Sequence, residues 1–109
     1  MTLRDLQKQA HALACDKGWW DNQKDSEYAR AASIALMHSE LSEVLEAIRK
    51  PDMRDKHLPH LDPVAVELAD VVIRILDFCE GYGLDLEQAV MEKMAYNRGR
   101  EKHHGGKAI

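Results

Sequence analysis

Glu40 and Glu43 are one helical turn apart, and after an interval of 23 residues Glu67 and Asp70 repeat the same spacing. Residues at i and i+3 share one face of a helix, so each pair aims two carboxylates in one direction. The lane of the first pair runs from Leu36 to Ala47, so these acids are bracketed by apolar positions. If the pairs lie on consecutive helices of an antiparallel hairpin, a rise of about 1.5 Å per residue brings all four carboxylates to a common height. Four such groups in a partly dry site repel one another until protons or a cation neutralise them. An all-oxygen set favours Mg²⁺, or Mn²⁺, over zinc, and Mg²⁺ usually keeps positions open for water and substrate phosphates. The chemistry implied is that of phosphate. A single ExxE is more often a solvated helix face with ordinary ion pairs. Two pairs matched in height, one of them on an otherwise apolar helix, favour a site.

The elements needed to hold these acids are legible as helices, because apolar residues recur at spacings of three and four while Gly and Pro fall at junctions. A first helix is expected over about 2–17, with Thr2 as N-cap, an apolar side of Leu3, Leu6, Ala10 and Leu13, and Gly18 as the stop. A turn with Trp19 and Trp20 follows. The second helix, about 25–50, carries Ile34, Met37, Leu41, Val44, Leu45 and Ile48 and ends at Pro51. Asp62 and Pro63 read as N-cap and first residue of a third helix reaching about Glu80, and Asp85 with Gln88 as a capping box for a fourth helix through about Asn97. The third helix is apolar over roughly two thirds of its circumference, except for a strip of Glu67, Asp70, Arg74 and Asp77. It is expected to be almost wholly surrounded by protein.

The chain has 109 residues, a net charge of -4 and only six aromatic side chains, which fits one domain over 1–109 with an aliphatic core and a basic, flexible tail over 98–109. A modest core with a nearly all-apolar helix predicts self-association. The acidic balance argues against long nucleic acid as a partner. Cys15 and Cys79 are expected as reduced core thiols. No apolar run approaches the length of a membrane span, and the N-terminal residues lack a targeting pattern, so a cytoplasmic location is expected.

The ExxE…ExxD pattern resembles the signature of the MazG-like all-α nucleoside triphosphate pyrophosphatases. The similarity extends to Lys17-Gly18-Trp19-Trp20, to Lys93-x-x-x-Asn97-Arg98 and to the terminal His104-Gly105-Gly106-Lys107, nearly the whole chain. It implies a four-helix, bundle-like fold in a dimer or dimer of dimers. It further implies Mg²⁺-dependent hydrolysis of a nucleoside triphosphate to the monophosphate and pyrophosphate, in many members to remove unwanted nucleotides. By position, Glu40, Glu43, Glu67 and Asp70 would ligate the metal. Lys93 and Asn97 would face phosphates or sugar, Arg98 and Lys107 would add phosphate contacts, and Trp19 and Trp20 would offer the base a stacking surface.

Some members carry a further Glu directly before the first glutamate of the motif, proposed to activate water; this chain has Ser39 there. Water activation then falls to the metal, to one of the four acids or to His38. Arg74, four residues after Asp70, is placed to orient that carboxylate. His57 with His60, and His103 with His104, have zinc-like spacing without cysteine partners. Two other functions fit the same residues. One is a helical nucleotide-binding or interaction module without turnover, and the other is a carboxylate-bridged di-iron bundle. The di-iron reading lacks the Glu-x-x-His pairs such bundles use.

Overall fold

Each helix start is fixed locally by a side chain that accepts a backbone N–H left free by helix geometry. Thr2 and Asp5 form a reciprocal capping box, Ser26 accepts from Ala29, Asp62 from Val64 with Pro63 in the first turn, and Asp85 from Gln88. The computed structural model describes residues 1–100, and these are all-helical: α1 (Leu3–Asp16), α2 (Glu27–Arg49), α3 (Pro63–Gly81) and α4 (Leu86–Arg98). Arg98 is the last residue of α4. The capping box expected at Asp85 is half made, because the Gln88 amide donates to Glu92, while Asp85 receives the Arg4 guanidinium. Among the described residues, no helix is long and apolar enough to cross a membrane.

The helix α3 is the centre of the assembly. It packs on α2 and on α1, whereas α4 packs on α1, so the spatial order is α2, α3, α1, α4. Val66, Val71, Leu76 and Cys79 of α3 are buried with Val44 of α2 and Ala14 of α1. The core-facing side of α1 differs from the expected one: Leu6 and Leu13 are exposed, and Gln7 and Ala14 are buried instead. Gln7 is tolerated there because its amide donates to Glu80 Oε1 and to the Leu84 carbonyl, each at 2.9 Å.

Two helices cannot cover α3 on all sides. Leu68, Val72 and Ile73 remain exposed, against the expectation of a helix surrounded by protein, and Ile34, Leu41, Leu45 and Ile48 of α2 are open as well. Cys15 also departs from the expected core thiol. It is exposed, while Cys79 is buried.

Candidate metal centre

The long helices α2 and α3 form a hairpin joined by residues 50–62, and its register sets Glu40 against Asp70 and Arg74, and Glu43 against Glu67. One carboxylate oxygen from each of Glu40, Glu67 and Asp70 lies within 4.8 Å of the other two. Opposite oxygens of an octahedral Mg²⁺ are about 4.2 Å apart at its usual bond lengths, so small side-chain adjustments suffice for these three to share an ion. Among the described residues this is the one group of three or more such ligands, and it contains no His or Cys.

Glu43 does not join the three. It stands one turn further along α2, exposed, on a cavity of about 250 Å³ that it shares with Glu46, Lys50, Met53 and Glu67. Its charge still reaches Glu67. Burial, then Asp70, Glu43 and Glu40, and last Asp55, hold the Glu67 carboxyl above its ordinary range. Asp70 is exposed, yet partial loss of hydration at its carboxyl raises it as well; Glu40 and Asp55 push in the same direction, and Arg74 partly offsets them.

Two features of this field were not legible in the sequence. Arg74 turns across the hairpin and bonds Glu40, Nε to Oε1 at 3.0 Å, rather than serving chiefly as the partner of Asp70 on its own helix. Asp55, in the connection between α2 and α3, acts on both Glu67 and Asp70 while accepting the backbone N–H groups of His57 and Leu58. No periodicity marks a loop acid. The Asp-x-His spacing of an Asx-type turn was the only local signal available.

The two tryptophans have separate surroundings. Trp20 is half-buried, donates from Nε1 to Asp77 Oδ1 at 2.8 Å and lies edge-on to His11 and Tyr82. Its ring fills the space where Gly81 lacks a Cβ. Trp19 is 53% exposed and stacks under the Arg74 guanidinium, 5.7 Å from the ring centre. A cavity of about 320 Å³ between Trp19, Trp20, Ser33, Leu36, Arg74 and Asp77 therefore adjoins the carboxylates through Arg74.

The α4 residues are elsewhere. Lys93 Nζ lies over the Tyr96 ring, 4.9 Å from its centre, and Asn97 and Arg98 are exposed on a helix that packs on α1. Within one chain the structure does not bring these three to the acids. Ser39 and His38 are exposed on α2, and His38 is not in the carboxylate group; His57 and His60 likewise join no such group among the described residues. Lys107, with His103 and His104, lies outside the described residues.

No family model, curated protein or solved structure matches the chain.

Proposed function

We propose that this chain is a Mg²⁺-dependent nucleoside triphosphate pyrophosphatase of the MazG-like kind, cleaving a nucleoside or deoxynucleoside triphosphate to its monophosphate and pyrophosphate. The observation that carries the reading is the meeting of Glu40, Glu67 and Asp70 across the α2–α3 hairpin, with Glu67 and Asp70 above their ordinary range. Carboxyls held that way lack positive charge, and a hard divalent ion supplies it. Held by these carboxylates, a Mg²⁺ ion would supply charge neutralisation for the triphosphate and activation of water.

The chain's own groups do the positioning. Glu40, Glu67 and Asp70 would hold the ion, with Glu43 one turn along α2 as a further candidate ligand. Arg74 keeps Glu40 in place through their ion pair and presents its other face to Trp19, beside the cavity that takes the base. A volume of about 320 Å³ lies in the range of small-molecule sites. Asp55 is an additional candidate for the proton of the attacking water.

The active form is a homodimer or homotetramer. Exposed Ile34, Leu41, Leu45 and Ile48 on α2 and Leu68, Val72 and Ile73 on α3 support this, since a monomer rarely leaves so many large apolar groups uncovered. Because α4 packs chiefly on α1 rather than on the acid-bearing hairpin, Lys93 and Asn97 would meet the triphosphate from a neighbouring subunit.

Incubation with a panel of nucleoside triphosphates and Mg²⁺ tests the reading. Monophosphate and pyrophosphate are expected from at least one nucleotide, with losses of about a hundredfold or more for Glu67→Gln and Asp70→Asn. No cleavage across the panel, or cleavage that survives both substitutions, refutes it.

A further inference from the structure

One wall of the cavity beside Trp19 is an acid. Asp77 follows Asp70 by two turns of α3, on the same lane of the helix and about 10 Å further along it. That separation is close to the span of a nucleotide from its phosphate to the far edge of its base. The Asp77 side chain is only 14% exposed, and it lines the cavity of about 320 Å³ together with Trp19, Leu36 and Arg74. Both of its hydrogen bonds fall on one oxygen. Oδ1 accepts the Trp20 indole N–H at 2.8 Å and meets His11 Nδ1 at 2.8 Å, while Oδ2 has no hydrogen-bond partner among the described residues. No fully buried side-chain oxygen or nitrogen of those residues lacks a partner, so Oδ2 is open, and the cavity is the space that Asp77 lines. A carboxylate can only accept, so this oxygen fits a ligand that brings an N–H and repels one that brings a carbonyl.

We propose that Asp77 is a specificity-determining residue whose Oδ2 accepts the exocyclic amino group of cytosine or adenine, so that the cavity takes nucleotides with that group and rejects their uracil, thymine and hypoxanthine counterparts. The inference rests on the reading of this cavity as the place of the base and names the bases it takes. Cytosine and adenine present an N–H₂ donor at the ring position where the rejected bases present a carbonyl acceptor. Trp19 and Leu36 give the ring an apolar wall while its edge is read. Trp20 and His11 are positioning residues, because they hold Oδ1 and so leave Oδ2 to the ligand. The indole N–H can only donate, so it requires an acceptor at the Oδ1 position whatever the side chain. Asp77→Asn therefore turns its amide oxygen toward Trp20 and its N–H₂ toward the cavity. A donor then stands where an acceptor stood, and the same base edge is read with the opposite sign.

The test uses the intact chain and matched nucleotides that differ at this one group. Calorimetric titrations with CMP against UMP and AMP against IMP, in Mg²⁺, read binding without turnover, and kcat/KM for the corresponding triphosphates reads cleavage. In at least one pair the amino member should be preferred about tenfold or more, the value of a hydrogen bond to a charged group. Asp77→Asn should move that ratio about tenfold or more toward the carbonyl member. A merely structural role for Asp77 would weaken both members alike and leave the ratio where it was. Equal binding within both pairs, no binding of any of the four, or a folded Asp77→Asn variant that keeps the wild-type preference overturns the proposal. If the variant does not fold, the wild-type ratios decide. Preferred binding of CMP or AMP with no triphosphate cleaved supports the base assignment and contradicts only the pyrophosphatase reading. Cleavage of both members of each pair alike contradicts the base assignment alone.

Discussion

Glu67, half-buried, and Asp70, exposed, are held above the ordinary carboxylate range first by partial desolvation and then by neighbouring anions. Each therefore binds its proton more tightly in the folded chain than in the unfolded one. From about pH 4 up through their raised values the folded state holds more protons, so stability falls as pH rises through that window. At neutral pH the whole penalty is present. Without divalent ions, Glu67→Gln and Asp70→Asn should accordingly raise the melting temperature, even as they abolish turnover. Millimolar Mg²⁺ should raise the wild-type melting temperature and move neither variant as far. Calorimetry with and without the ion checks both; variants less stable than wild type, with no Mg²⁺ effect, would mean that the acids do not form a strained site. Arg74→Met leaves Glu40 without its partner and should cost about 1 kcal/mol, measurable by urea unfolding. The four motif acids were legible because i and i+3 spacing is a local property of a helix. Which of them touch was not: Glu43 stands aside and Arg74 crosses to Glu40, and both depend on side-chain direction across the hairpin.

The starts of α1, α3 and α4 are legible in the sequence, because Thr2, Asp62 and Asp85 act on N–H groups two or three residues away. The core-facing side of α1 is only partly legible, for the opposite reason: Leu3 and Ala10 are half-buried as expected, but Leu6 and Leu13 are not. Apolar periodicity favoured Leu6 and Leu13, but the buried positions are Gln7 and Ala14, because Glu80 and the Leu84 carbonyl, far away in sequence, satisfy the Gln7 amide. Gly81 at the end of α3 gives a test at this scale. Gly→Ala in an unobstructed helix stabilises by about 0.4–1 kcal/mol. Here the added methyl meets the Trp20 ring, so Gly81→Ala should instead destabilise by about 1–3 kcal/mol in urea unfolding. A more stable variant would show that Trp20 does not occupy that space. The contact also explains why Trp20, hydrogen-bonded and wedged, leaves Trp19 as the freer surface beside Arg74.

At the scale of the molecule, the chain has a radius of gyration of 16.5 Å, against about 13 Å expected for a compact domain of this length. The row of helices α2, α3, α1, α4 is open on the α2 side, where Leu41, Leu45 and Ile48 are uncovered. The length and helical class were evident from the sequence; the position of α4 was not, since nothing local tells α4 to prefer α1 over the acid-bearing hairpin. If a second copy covers α2, replacing Leu45 and Ile48 together by Glu should shift the sedimenting species toward monomer. Activity should fall with it, because Lys93 would no longer reach its neighbour's site. A wild-type chain that sediments as a monomer at micromolar concentration and still turns over would contradict the shared site. The bond that is cut distinguishes a pyrophosphatase from other phosphate hydrolases. Phosphorus NMR of a cleavable triphosphate, incubated with the protein and Mg²⁺, should show pyrophosphate and nucleoside monophosphate appearing together in equal amounts, and nothing when Mg²⁺ is chelated. Release of orthophosphate and a nucleoside diphosphate, or a spectrum that never changes with any nucleotide, would contradict it.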